Sequence, residues 1–144
     1  MIHKKENILL SDYQYIAHQC NCVSNHSAGL AKSIFQKFPY SDIYKFREKR
    51  DSPGNIIISG NGIDQRYIIN MLAQYYPGEP KYESYEQRLS WFDSCIDKIL
   101  KIPDLKQIAF PYKIGCGLAG GKWEDYEKLI FKLDNVCEVI ICQI

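Results

Sequence analysis

The chain has no excess of either charge, with 18 Lys and Arg against 17 Asp and Glu. Without a net field there is no long-range pull onto duplex DNA or an anionic membrane. No apolar run is long enough to span a bilayer. The first residues, Met1-Ile2-His3-Lys4-Lys5-Glu6, lack the apolar centre of a signal peptide. These absences predict a cytoplasmic chain with no membrane partner and no strong nucleic-acid binding. Repeats, low-complexity tracts and linkers are also missing, so residues 1–144 read as a single domain long enough to bury a core.

Cysteine is present six times, but no Cys-x-x-Cys pair occurs. The chain is not a short secreted one, so a disulfide framework is not expected and a reduced protein is. Cys20 and Cys22 lie near His18 and His26, yet Cys-x-Cys is too short for the common zinc knuckles. No metal and no cofactor is expected. Cys95, Cys137 and Cys142 fall in apolar patterns and read as small core residues. A basic patch at Lys45, Arg47, Lys49 and Arg50 is interrupted by Glu48 and Asp51 and reads as the solvated face of a helix.

Neither Gly-x-Gly-x-x-Gly nor a P-loop is present. What stands in their place is Phe110-Pro111-Tyr112-Lys113-Ile114-Gly115-Cys116-Gly117-Leu118-Ala119-Gly120-Gly121-Lys122-Trp123. An apolar segment runs into a glycine-rich stretch, and a helical pattern follows at once. Glycines let the backbone turn sharply and present N–H groups with no Cβ in the way. Successive bare N–H groups beside a helix N-terminus make an anion cradle. This loop therefore reads as the seat of a phosphate, and its length suits a diphosphate. Cys116, near that helix N-terminus, reads either as a reactive thiol or as a small residue that fits the loop.

Strands and helices alternate along the chain. Residues 15–20 read as a buried strand; Leu30, Ile34, Phe35 and Phe38 recur at helical spacing until Pro39. A short helix is expected over 43–49. Ile56-Ile57-Ile58 and residues 67–72, joined through Gly60-Asn61-Gly62, read as a hairpin. Tyr85, Leu89, Phe92, Ile96 and Ile99 form one face of a long helix. Residues 108–114 read as the strand that feeds the glycine loop. Trp123, Tyr126, Ile130 and Leu133 mark the last helix face, and 136–142 the closing strand. The expected fold class is α/β, with three layers, α/β/α, around a central mixed sheet. Ligands in such sheets sit outside the carboxyl ends of parallel strands.

A second loop has the same grammar: His18-Gln19-Cys20-Asn21 ends a strand, and Ser27-Ala28-Gly29-Leu30-Ala31 opens a helix. Asn21 both donates and accepts, which suits a ribose diol. Ser27, Ala28 and Gly29 keep bulk away from a helix N-terminus where another phosphate oxygen would bind. Tyr75, Tyr76, Tyr82 and Tyr85 surround Pro77-Gly78-Glu79-Pro80; they either stack on a base or pack beneath the loop.

With these residues in place, the sequence resembles the macrodomain family of ADP-ribose-binding α/β/α modules. The resemblance rests on His18-Gln19-Cys20-Asn21 with Ala28-Gly29-Leu30-Ala31, on Asn70-Met71-Leu72-Ala73-Gln74, and on Ile114-Gly115-Cys116-Gly117-Leu118-Ala119-Gly120-Gly121 with Trp123. It is nearest to the branch that holds ADP-ribose-1''-phosphate phosphatases and terminal ADP-ribosyl-protein hydrolases. It implies an adenine contact at Asn7-Ile8, where relatives carry Asp-Ile, a distal-ribose contact at Asn21, and phosphate loops at Ser27, Ala28, Gly29 and Leu30 and at Ile114 through Gly120. It also implies that Gln74 and Ala119 stand where protein-deADP-ribosylating relatives carry a lysine and an aspartate. Neither can act as a nucleophile or form a Schiff base.

His18 looks like the histidine of the phosphatase-type relatives. Its ordinary pKa lies near neutrality, so it can move a proton. The other reading of His18 is a core histidine satisfied by its neighbours. The resemblance implies binding of ADP-ribose or a phosphorylated ADP-ribose, and hydrolysis of ADP-ribose-1''-phosphate with His18 and Asn21 as the catalytic pair. The alternatives are a non-catalytic module for ADP-ribose or for ADP-ribosyl groups on macromolecules, and an ADP-ribosyl hydrolase that uses a substrate-assisted water.

Overall fold

Six strands form one sheet in the order β1-β6-β5-β2-β4-β3. They are β1 (Ile2–Lys5), β2 (Tyr15–Cys20), β3 (Ile56–Ser59), β4 (Tyr67–Leu72), β5 (Gln107–Pro111) and β6 (Glu138–Gln143). Every pairing is parallel except β3 with β4. The computed structural model describes residues 1–117 and 119–144.

Alternation along the strands sorts side chains onto two faces, as the pleat requires. Tyr15 and Ala17 of β2, Ile69 and Met71 of β4, and Ile108 and Phe110 of β5 point into one core. Ile16, Cys20, Ile68, Leu72 and Ala109 point into the other. The first core is closed by α2 (Tyr85–Ile99) and α3 (Trp123–Ile130), through Phe92, Cys95, Ile96, Ile99, Tyr126 and Ile130. The second is closed by α1 (Gly29–Lys37), through Ile34 and Phe35. The result is the expected three-layer α/β/α architecture around a mixed sheet.

Several boundaries differ from the sequence reading, each for a local reason. β1 was invisible because all of it is exposed, so it carries no alternation. β5 ends at Pro111: Ile114 N–H bonds back to the Pro111 carbonyl, and Lys113 turns to φ 61°. The last strand starts at Glu138, after a 3-10 turn over Phe131–Leu133. No helix forms over 43–49. There Asp42 Oδ1 accepts from Tyr44 N–H and Lys45 N–H, while Tyr44 packs edge-on against Phe35 at 5.2 Å. Arg47 is not on a solvated face. Its side chain is 4% exposed and donates to the carbonyls of Asn21 and Ser24.

Arg88 is the most consequential buried charge. It is 1% exposed, on the first turn of α2. Its Nε and Nη2 reach Glu83 at 3.2 and 2.7 Å; its other donors reach the carbonyls of Tyr76, Gly78 and Ala119. Glu83 accepts in turn from Tyr75 N–H and Tyr76 N–H. One ion pair thereby fixes the 75–83 loop to the glycine loop. Removing one partner of such a pair strands the other charge away from water, at a cost of about 3–5 kcal/mol. Arg88→Met is expected to lose stability of that order in urea unfolding, and a loss below about 1 kcal/mol would show that the pair holds little.

Candidate functional site

β2, β4 and β5 run parallel and end at one rim of the sheet, and a cleft of about 360 Å³ lies there. It is lined by His18, Gln19 and Asn21 at the end of β2, by Gln74 beyond β4, by Pro111 at the end of β5, and by Tyr112 through Gly115 beyond it. Ser24 and His26 of the first loop, the start of α1 (Ala28, Gly29, Leu30 and Ala31), Tyr44, Pro77 and Gly78, and Gly117 and Ala119 of the glycine loop add to it. The two loops singled out from the sequence thus face one cavity.

The first loop is shaped by its own side chains. Asn21 Oδ1 accepts from Val23 N–H at 3.0 Å and Ser24 N–H at 2.8 Å. That leaves the Asn21 amide NH2 as its donor toward a ligand. Arg47 and the Tyr44 hydroxyl, which accepts from Asn21 N–H at 2.8 Å, pin the backbone beneath. The chain then enters α1 with Ala28 at the N-cap and no side-chain cap. α2, by contrast, is closed by a capping box between Ser84 and Gln87. The first N–H groups of α1 therefore remain open at the cleft, with the positive end of the helix dipole behind them.

The glycine loop offers a second set of donors. Among the described residues, the N–H groups of Gly115, Gly117 and Ala119 have no acceptor within the chain. Two of its glycines are set by packing. A Cβ on Gly121 would lie 2.5 Å from the Gly115 carbonyl oxygen and from a Tyr126 ring carbon. A Cβ on Gly115, at φ 75°, would lie 2.9 Å from Gln19 Oε1 and from the same ring. Lys113 adopts φ 61° with no glycine to ease it, which costs about 1–2 kcal/mol.

His18 forms the floor and is 1% exposed. Its Nε2 lies 2.7 Å from Asn70 Oδ1. The Asn70 amide NH2 donates to the Ile57 carbonyl and to Ser59 Oγ, so Oδ1 must accept and His18 must carry its proton on Nε2. Nδ1 keeps the lone pair. Burial favours the uncharged ring and pulls its pKa from 6.5 to about 4, against the opposing Asn70 bond. His18 is thus both a satisfied core residue and part of the cleft wall. Cys116 lies off the cleft, and burial pushes its thiol up to about 11, which is unlike a reactive thiolate.

Among the described residues, no Asp or Glu lines the cleft, and no group of His, Cys, Asp and Glu is placed to hold a metal ion. Of the residues expected at the site, His18, Asn21, Ala28, Gly29, Leu30, Gln74, Ile114, Gly115, Gly117 and Ala119 line the cavity, while Ser27, Cys116 and Gly120 do not. Asn7 and Ile8 are outside its lining; Asn7 Oδ1 caps a short turn by accepting from Leu9 N–H, and Ile8 is buried. Leu118 lies outside the described residues. Tyr75, Tyr76 and Tyr82 form an edge-to-face row and are not among the cavity's lining residues. Tyr44, Tyr112 and Lys113 line it instead. Tyr112 and Lys113 fall in the run that the sequence marks as the phosphate seat but carry no signal of their own, and Tyr44 carries none, because their places depend on turns that propensity does not specify.

The buried imidazole makes a pH prediction. Between pH 6.5 and about 4, the unfolded chain takes a proton on His18 that the folded chain refuses. Its contribution is complete above 6.5 and is lost as pH falls through that window. The stability-versus-pH slope of His18→Gln is expected to be flatter there than that of the wild type. An NMR titration of His18 with a midpoint near 6.5 would contradict this.

The Macro domain family model matches residues 17–130. A curated relative, the uncharacterized 17.5 kDa protein in the tk-vs intergenic region of Enterobacteria phage T4, is 22% identical, over 92% of this chain and 88% of its own length. The fold is similar to that of the macrodomain of Mycobacterium tuberculosis DarG, with a TM-score of 0.78 at 17% identity over 99% of this chain and 97% of that one. It is also similar to Thermosipho africanus DarTG, solved in complex with ADP-ribose, with a TM-score of 0.65 at 20% identity over 96% of this chain and 40% of that one. The matched span runs from β2 to the end of α3 and takes in both loops of the cleft, and this chain belongs to the Macro domain family.

Proposed function

We propose that this chain binds ADP-ribose in the cleft at the ends of β2, β4 and β5. The observation that carries the reading is the pair of open backbone donor sets on one cavity: the uncapped first turn of α1 and the N–H groups of Gly115, Gly117 and Ala119. Fixed N–H dipoles at a helix start suit phosphate oxygens. The lack of Asp and Glu among the described lining residues removes the repulsion a diphosphate would otherwise meet. Asn21, with its oxygen committed to the backbone, offers its NH2 to a ribose hydroxyl. The likeness to a structure solved with ADP-ribose supports the same ligand.

A second reading, hydrolysis of ADP-ribose-1''-phosphate, is favoured by His18. Its neutral ring lines the cleft with the lone pair on Nδ1. In that reaction a water oxygen attacks the terminal phosphorus and the bond from phosphorus to the 1'' oxygen breaks. The water's proton goes to Nδ1, a solvent water gives a proton to the leaving oxygen, and Nδ1 then returns its proton to solvent, giving ADP-ribose and inorganic phosphate. Asn21 holds the distal ribose for this step, and the open amides of the glycine loop take the developing charge. Attack by a protein lysine or aspartate is not supported, since by the family resemblance Gln74 and Ala119 stand where deADP-ribosylating relatives carry those residues.

Isothermal titration with ADP-ribose is expected to give saturable one-site binding; no heat and no competition at millimolar ligand would refute it. Release of phosphate from ADP-ribose-1''-phosphate tests the second reading. His18→Ala is expected to slow it about 100-fold or more, and an unchanged rate would remove His18 from the chemistry. Binding without any release leaves a binding module.

A further inference from the structure

We infer that Lys113 is a ligand-binding residue that presents the cleft's fixed positive charge to a phosphate group of the bound nucleotide. This inference rests on the ADP-ribose reading above. Lys113 is the only Lys or Arg among the described residues lining the cleft. It is exposed, and among the described residues no carboxylate forms an ion pair with it. Its Nζ lies 5.5 Å from the centroid of the neighbouring Tyr112 ring, which also lines the cavity.

The backbone gives an independent reason. Ile114 N–H bonds to the Pro111 carbonyl at 3.1 Å, and Cys116 N–H bonds to the Lys113 carbonyl at 2.9 Å. Lys113 therefore joins two consecutive turns, as the third residue of the first, with φ 61°. That position favours glycine or asparagine, because an L side chain is strained there. The turn itself has no use for a lysine side chain. A long cationic residue kept in a glycine-type conformation, at the lip where the open amides of the glycine loop begin, points to a role outside folding.

Stability and binding should then move in opposite directions. Lys113→Asn relieves the backbone and is expected to keep or raise the melting temperature. It is expected to weaken ADP-ribose binding about fivefold at low ionic strength, as for one exposed charge contact. The salt dependence of binding should become shallower, and Lys113→Arg should retain most of the affinity. Titration with ADP-ribose and with ADP-ribose-1''-phosphate identifies the phosphate. An equal loss for both places the contact on the diphosphate, and a loss for the second alone places it on the terminal phosphate.

Wild-type affinity and salt dependence in Lys113→Asn for both ligands overturn the assignment. A parallel drop in melting temperature and affinity does so as well, because it marks a structural role. A wild-type protein that binds neither ligand overturns the ADP-ribose reading, and this assignment with it. Wild-type binding that ignores Lys113 overturns the assignment alone.

Discussion

β2 is held in parallel register between β4 and β5, with Tyr15 opposite both Tyr67 and Ile108. That pairing is the constraint on which the rest of the molecule depends. Parallel neighbours end at the same rim, so the loops that leave them must meet over one patch of the sheet. The polar run after Cys20, Gln74 beyond β4 and the glycine loop beyond β5 become neighbours for this reason, though they are far apart in sequence. The same register sets His18 opposite Asn70 on the α1 face of the sheet and fixes its tautomer before any ligand arrives.

Around that rim, structural and binding roles fall to different groups. Gly115 and Gly121 are small because Tyr126 packs against them. Arg88, Glu83 and Arg47 are buried charges spent on backbone carbonyls, N–H groups and each other's loops. What these supports leave unfilled is backbone: the start of α1 and the N–H groups of the glycine loop. A site made of main-chain donors carries little side-chain signature of its own. Fixed dipoles and the lack of carboxylates among the described lining residues are what would favour an anion there.

Much of this was legible in the sequence, because the informative features were local. The strand, polar turn and small-residue helix start after Tyr15 needed no long-range information. Neither did the same order after Gln107, nor the hairpin of β3 and β4. Features set by distant partners were not legible. β1 is an exposed edge strand held chiefly by its pairing with β6, with side contacts from His3 to Glu127 and from Lys4 to the Tyr13 ring. The segment 43–49 has the charges of a solvated helix, but Tyr44 and Arg47 are drawn inward by Phe35, Asn21 and Ser24. Arg88 reads as one more polar residue of α2, since its acceptors lie in two other loops. Lys113 reached the cleft only because β5 stopped three residues earlier than its apolar pattern suggested, at Pro111.

The central claim is that two sets of open backbone N–H groups jointly grip a diphosphate, and amide NMR reads those groups directly. On titration with ADP-ribose, the account predicts that the largest shifts fall on Gly29, Leu30 and Ala31 and on Gly115, Gly117 and Ala119, and that they saturate together. Shifts confined to one loop, or centred away from the ends of β2 and β5, would contradict it.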